Sequence, residues 1–360
     1  MHDTRVLEKI LDLARWAPSG DNTQPWRFEL IDAFHLVVHG FDTRDHCVYD
    51  LDGHPSQISL GALLENIAIA ASVHGWRMSA LQRLGMPDTH PTFDVAFIPE
   101  QQLPADPLAP YIETRSVQRR PMRMRALTTE EKTMLASALG QQHHVIWLEG
   151  NQRRFAAARL MFNYGKLRLT MPEAFEVHRS VIEWSCQFSV DRIPDQALGV
   201  DLMTARLMRW IMQSWRRVKF FNTFLAGTLM PRLQMDLIPG ISCAAHFVIL
   251  AKTPPTTVGD YVFAGRAMQR FWLTASQLGL QLQPELTPLI FARYVRNNIS
   301  FSTVQHLQAL AQRLALQSNN VIGEKNSLHA VFMGRIGAGN VALARSMRRP
   351  LAELMLPQTD

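Results

Sequence analysis

Gly61-Ala-Leu-Leu-Glu-Asn-Ile-Ala-Ile-Ala-Ala-Ser-Val-His-Gly75-Trp76 and, about 200 residues later, Gly265-Arg-Ala-Met-Gln-Arg-Phe-Trp-Leu-Thr-Ala-Ser-Gln-Leu-Gly279-Leu280 read as one helix written twice. Both start with Gly, carry Ala-Ser at the same offset and close with Gly before an apolar residue. A repeat at this separation predicts two fused copies of one domain, because an ancestral homodimer with a two-fold axis can become a single chain with a pseudo-two-fold axis. The plainer reading is two unrelated amphipathic helices with glycine C-caps. If the copies are real, the functional question is how many of the two original sites survive.

Outward from the repeat, the flanking pattern is that of an α+β protein. A first amphipathic helix is expected over residues 4–16, broken by Pro18-Ser19-Gly20-Asp21-Asn22. Strands are expected over 27–31 and 36–39, followed by an aspartate-rich loop to Gly53, the first helix copy, and apolar runs at 78–84 and 93–99. The proline-rich stretch 101–110 reads as a linker, dividing an N-terminal half, 1–105, from a C-terminal half, 106–360. The second half is expected to hold a helix over 129–139, capped by Thr128 or Thr129, and a strand over 144–148. A buried strand over 242–251 precedes the second helix copy, 265–280, and a helix over 304–316 and a last strand over 330–336 follow it. Gly334-Arg-Ile-Gly-Ala-Gly339 is then expected as a turn, since it lacks the strand–glycine loop–helix order of a dinucleotide fold. Residues 153–237 are rich in Met, Trp, Phe and Arg and have no counterpart in the first half, so they read as a helical insertion. Their aromatic stripes suit packing more than chemistry, while their position makes them a candidate lid.

The chain has 360 residues, of which 47% are hydrophobic and 19% charged, enough to bury a large core. Its net charge of +6 raises the question of a nucleic-acid partner, but the positive charge is local. Arg115, Arg119, Arg120, Arg123 and Arg125 form one cluster, Arg345, Arg348 and Arg349 a second, and Arg216, Arg217 and Lys219 a third. Each reads either as a solvated face or as a phosphate site, for which the guanidinium fork is suited. Cys47, Cys186 and Cys243 are too scattered for a disulfide framework, and no cysteine or histidine spacing suggests a metal. His143-His144 reads as a strand edge. No Walker loop, nucleophile elbow or His-Glu-x-x-His helix supports an ATPase or hydrolase. A charged start, Met1-His-Asp-Thr-Arg, and the lack of an uninterrupted apolar run give the expectation of a cytoplasmic protein, with neither nucleic acid nor a membrane as partner.

Three segments carry a specific resemblance. Ala14-Arg-Trp-Ala-Pro18-Ser-Gly-Asp-Asn22-Thr-Gln-Pro-Trp26-Arg-Phe28 resembles the nitroreductase family's helix, Ala-Pro-Ser, Asn-x-Gln-Pro-Trp and strand. In that family this segment reaches across a dimer interface to the partner's flavin. Arg115-Ser-Val-Gln-Arg119-Arg120-Pro is similar to the arginine-rich turn that holds the FMN phosphate and the pyrimidine side of the ring. Arg345-Ser-Met-Arg348-Arg349-Pro-Leu is similar to the basic segment after the last strand, a second phosphate contact. The resemblance implies an FMN-dependent, nitroreductase-like α+β fold of tandem, fused-dimer type: two pseudo-symmetric halves, each a mixed sheet flanked by helices.

Each half carries a different part of the pattern, which implies one FMN per chain at the interface of the halves. On the resemblance, Arg115 with Arg348 or Arg349 would hold the phosphate, beside Arg345, and Arg119 would sit near N1 and O2. Pro18 would shape the turn that presents Ser19 and Asn22 to the ring, and Gln283 and Pro284 would lie close to the flavin. Val117 stands where the family commonly has a hydroxyl, while Ser116 fits that role only in a shifted register. Asp42, Arg44, Asp45 and Asp50 read as a solvated loop rather than as a site entrance. No catalytic side chain or metal is needed, because the flavin carries the chemistry.

Three functions remain open. The chain is an oxidoreductase passing hydride from NAD(P)H through FMN to a nitroaromatic, quinone or similar conjugated acceptor. Alternatively, it is an FMN-sequestering or regulatory flavoprotein closed by its insertion, or a dedicated biosynthetic dehydrogenase or oxidase. A monomeric fused pseudo-dimer is expected, with a homodimer left open.

Overall fold

A computed structural model describes residues 4–100 and 102–357 as a mixed α+β structure with two four-stranded sheets flanked by helices. Met1, His2, Asp3 and the first linker residue, Gln101, lie outside the described residues.

The first unit runs α1 (Arg5–Ala14), β1 (Trp26–Leu30), β2 (His35–Gly40), α2 (His54–Val73), β3 (Trp76–Gln82) and β4 (Thr92–Pro99). The second runs α3 (Thr129–Ser137), β5 (His143–Glu149), the insertion with four helices of ten residues or more, β6 (Ala245–Ala251), α8 (Val258–Gln277), β7 (Leu280–Pro284), two more helices of that length and β8 (Ala330–Ala338). The insertion's long helices are α4 (Gly150–Leu169), α5 (Pro172–Val181), α6 (Leu202–Ile211) and α7 (Trp215–Phe224); the later long pair are α9 (Thr287–Arg296) and α10 (Gln305–Ile322). The sheets have the orders β1-β2-β4-β3 and β5-β6-β8-β7, the same path drawn twice. Every ladder in both sheets is antiparallel, whereas mixed sheets were expected from the sequence. At these sheets parallel pairing is limited to the single bridges of Phe28 with Met355 and Val117 with Leu282, which bring the tail and the arginine turn to the sheet edges, while two short parallel ladders, 182–183 with 193–194 and 188–189 with 345–346, lie outside them.

Between the sheets, α2 and α8 cross where the repeat begins. A β-carbon on Gly61 would lie 1.9 Å from the Val262 carbonyl oxygen, and one on Gly265 would lie 2.1 Å from that of Ile58. The two glycines therefore serve backbone contact in mid-helix. Gly75 and Gly279, at φ +68° and +70°, supply the left-handed residue that ends each helix. Across the crossing, Glu65 accepts from Arg266 at 2.8 Å and Arg270 at 3.0 Å, and Gln269 donates to Asn66 at 2.8 Å. By length and apolarity α2 could cross a bilayer, but 89% of its apolar window is buried inside the protein. Trp26, Phe28, Phe247 and Phe271 join both sheets and both central helices in one core, each side chain stabilising the fold by about 1.5–3 kcal/mol.

Several boundaries differ from the sequence reading. The second helix copy stops at Gln277, and β7 follows Gly279 at once; with five residues ending in proline, it is too short to register as an alternating pattern. The expected turn at 334–339 is strand as far as Ala338. Its glycines answer to crowding: a β-carbon on Gly334 would lie 2.8 Å from the Gln283 carbonyl oxygen, and one on Gly337 3.0 Å from Ala244 N. Helix α3 is capped by Thr128, whose hydroxyl accepts from Glu131 N while the Glu131 carboxylate accepts from Thr128 N.

Candidate functional site

Helix α1 ends at Ala14, where the oxygens of Leu11, Leu13 and Ala14 accept from the N–H groups of Arg15, Trp16 and Ala17, and the next carbonyls, of Trp16 and Ala17, take their donors from elsewhere. Two distant arginines supply donors just beyond that end. Arg348 donates to the Trp16 and Ala17 oxygens, to Met347 O and to Asn22 Oδ1, and Arg115 donates to the Trp16 oxygen at 3.1 Å. These contacts join the tail and the arginine turn to the loop that follows α1.

That loop is strained. Asp21, Asn22 and Gln24 take φ values of 49°, 62° and 50°, in the left-handed region that side chains rarely adopt. Its own polar groups hold it there. The Asn22 amide donates to Arg192 O and Met347 O, the Gln24 amide donates to Asn22 O and Val190 O, and Gln24 Oε1 accepts from Arg349 N. The Ser19 hydroxyl accepts from Gln24 N at 3.0 Å. Because Val190 and Arg192 belong to the insertion, loop, tail and insertion form one clasp. Phe188–Ser189 of the insertion also pairs in parallel with Arg345–Ser346 of the tail.

Beneath the clasp lies a cavity of about 370 Å³, of the size that small-molecule sites occupy. Pro18, Ser19 and Asn22 line it from the first unit, and Arg115, Val117 and Arg119 from the arginine turn. Gln283 and Pro284 line it from the end of β7, and Arg345 and Arg348 from the tail. Arg349 does not: it turns away to pair with Asp191 at 2.9 Å. Asn22 and Arg348 reach the cavity with their polar atoms already engaged by one another and by the backbone. The insertion supplies an apolar wall through Leu198, Met208, Met212 and Met235, opposite Ile58, Met268 and Trp272.

The electrostatics of one end are unusual. Burial pushes the Arg115 guanidinium well below its ordinary pKa, and the neighbouring Arg348 and Arg345 push it further down. Arg348 is lowered to about 9, by burial and then by Arg345 and Arg15. Among the described residues no carboxylate forms an ion pair with Arg115, Arg345 or Arg348. Arg115 Nε, Ser116 Oγ, Arg345 Nε and Gln283 Oε1 are buried without hydrogen-bond partners. Clustered cations and orphaned polar atoms around a cavity have the chemistry to receive an anion with further polar groups.

Elsewhere in the cavity, Arg119 is lowered to about 10 by burial, against the field of Asp21. Asp21 is raised by burial, which outweighs Arg119 and Arg168. Arg168 pairs with Asp236 at 3.0 Å, and Tyr49 meets His178 Nε2 at 2.9 Å. Asp50 also lines the cavity, where a solvated loop was expected, but Thr43 and Ser56 occupy its carboxylate through backbone and hydroxyl donors. Asp21 was legible as part of the loop motif; Arg168, Asp236, Tyr49 and His178 had no sequence signal beyond their residue type.

A buried charge network supports Arg119 from below. Glu285 pairs with His246 at 2.6 Å and with Arg335 at 2.9 Å, and Arg335 donates to the Arg119 carbonyl at 2.8 Å. His246 and Arg335 face each other across β6 and β8, so sheet register sets this geometry. Sequence reasoning missed the network because its members come from three separate strands or strand ends.

No protein-family model matches the chain. It is 23% identical to an uncharacterized protein of Mycobacterium tuberculosis over 333 residues, 91% of this chain, and spans 45% of that relative's length. Among solved structures it is similar to a nitroreductase-like family protein from Bacillus cereus, at 13% identity and a TM-score of 0.35, over 70% of this chain and 96% of the other. It is also similar to an Anabaena variabilis protein described as a nitroreductase, at 11% identity and a TM-score of 0.36, over 85% of this chain and 69% of the other.

Proposed function

We propose that the cavity binds FMN and that the protein is a flavin-dependent oxidoreductase of nitroreductase type, a fused pseudo-dimer with one site per chain. The observation that carries this reading is the cluster of buried Arg115 and Arg348 with half-buried Arg345, in which no carboxylate forms an ion pair among the described residues and the Nε atoms of Arg115 and Arg345 are buried and unpaired. A dianionic phosphate would satisfy it. When bound, FMN would supply hydride transfer between NAD(P)H and a conjugated acceptor such as a nitroaromatic or quinone.

The residues divide that task. Arg115 and Arg345 retain free donors and would hold the phosphate, with the Ser116 hydroxyl beside them. Arg348 has its donors committed and positions the loop after α1, and Arg349 holds the clasp. Arg119, fixed through its side chain to Ala197 O and through its carbonyl to Arg335, places a cation deeper in the cavity, where it would favour an electron-rich ring. Ile58, Met268 and Trp272 offer an apolar bed for that ring, and the insertion's methionines exclude water above it. The twice-drawn sheet path supports a fused dimer, while the Pro18–Asn22 loop of one unit and the arginine turn of the other supply complementary parts of one site.

The test is the visible spectrum and a protein-to-flavin titration. One FMN per chain is expected, and Arg115→Ala should weaken binding by about 1.5–3 kcal/mol, roughly 10- to 150-fold. An apoprotein that rejects added FMN overturns the cofactor, and two flavins per chain overturn the single site. The clasp favours a second reading, a closed flavoprotein that withholds its flavin. NADPH oxidation with a quinone separates the two: turnover supports the oxidoreductase, whereas a yellow protein reduced only by light supports the closed form.

A further inference from the structure

We infer that the insertion docks on an anionic lipid surface through the outer face of α6 and α7. From Leu202 to Met235 the chain contains no Asp or Glu, yet it carries five arginines and a lysine. The same stretch exposes large apolar side chains: Met203 is 80% exposed, Leu207 48% and Trp210 48% on α6, and Phe220 53% and Phe224 71% on α7.

These residues fall on defined faces. On α6, Met203, Leu207 and Trp210 recur at helical spacing on the outside, whereas buried Ala205 and the cavity-lining Met208 and Met212 recur on the inside. The outer face of α7 continues the patch. Trp210 meets Phe221 edge-on at 5.8 Å, and Phe220 packs on Phe221 at 6.0 Å and on Phe224 at 5.2 Å. Arg217 lies 4.5 Å from the Trp210 ring, donates to Trp210 O and ties the two helices together. Exposed Arg206, Arg209, Arg216 and Lys219 sit among these apolar side chains.

A continuous apolar face left in water marks an interaction site, and the charge selects the partner. A second copy meeting this face about a two-fold axis would set its cations against the same cations. Tryptophan, phenylalanine and methionine flanked by arginine and lysine are instead the composition of a helix that lies in the headgroup layer of an anionic bilayer. No spanning segment is needed. This replaces the expectation, drawn from the lack of a long apolar run, that no membrane is a partner. Because α6 is also a wall of the cavity, lipid contact would act directly on the element that covers the site. The inference stands on the surface alone and holds whatever the cavity binds.

Cosedimentation of the full chain with phospholipid vesicles tests it. Vesicles of phosphatidylcholine with about 30% phosphatidylserine should bind the protein, pure phosphatidylcholine should bind it far less, and added salt should release it. Arg216→Glu exchanges one attraction for one repulsion and should weaken binding about 30-fold. Phe224→Asp should abolish it, with the circular-dichroism melt unchanged because the side chain is exposed. Equal binding to neutral and anionic vesicles, or none to either, overturns the inference. So does a concentration-dependent dimer that Phe224→Asp dissolves, since the face would then belong to a second copy.

Discussion

Arg115 and Arg348 both donate to the Trp16 carbonyl, yet they differ in what is left over: Arg348 is spent on five acceptors, and Arg115 keeps Nε free inside the cavity. The sequence marks both as basic residues in matching motifs. It does not reveal which is occupied, because the occupants are backbone carbonyls placed by the end of a helix some 100 and 330 residues away. Beneath them, the Glu285 network makes a sharper residue-scale statement. Burial opposes charge on His246, but Glu285 outweighs it and raises the imidazole from 6.5 to about 10. That contribution to stability is whole below pH 6.5 and is lost as pH rises through 10. Burial likewise opposes charge on Glu285, and His246 and Arg335 reverse it, so the carboxyl lies below its ordinary 4.5. Its contribution is present above pH 4.5 and is lost as pH falls. Glu285→Gln leaves two buried cations without a counter-ion and should cost about 3–5 kcal/mol at neutral pH. Urea melts at pH 7 and pH 10 read both effects: a large loss at pH 7 and a smaller difference at pH 10 are expected, and an unchanged midpoint at pH 7 would sink the idea.

At the scale of elements, the α2–α8 crossing explains what the repeated sequence was preserving. Its first glycine is a point of backbone contact and its last a left-handed helix end, two jobs that look alike in a string of letters. Gly265→Ala should therefore destabilise by about 1–3 kcal/mol or more through overpacking. Gly259→Ala on the same helix, whose nearest neighbours would lie at 3.7 Å, should be neutral or mildly stabilising. Equal thermal midpoints for the two variants would refute the crossing. The elements that were legible are those with a long periodic face or a strong cap, such as α1, α3 and the strands of the first sheet. The ones that were not legible, β7 and α9, are fixed by neighbours distant in sequence: five-residue β7 by β8, and α9, which has no side-chain cap, by packing on α4 and α10.

For the whole molecule, two sheets with one path share a core, while the insertion and the tail close over a single cavity. The loop, turn and tail that line that cavity were legible as motifs. The closure was not, because its hydrogen bonds run between Asn22, Gln24 and backbone atoms of residues 190, 192 and 347. The pairing of the two units carries a prediction at this scale. Glu65 faces Arg266 and Arg270, whose counterparts in its own copy are Ala62 and Asn66. A first unit paired with itself would bury two carboxylates without cations, and a second unit paired with itself would crowd four arginines with only the two Asp106 carboxylates, one beside each Arg270 at 2.8 Å, to balance them. Cut in the segment 102–105 and co-expressed, the two fragments should copurify one to one, and a stable self-pair of the first fragment would refute this. The crossing thus works as an address: each unit accepts one partner and refuses its own twin, so the segment that joins them sets how often they meet and not whom they choose.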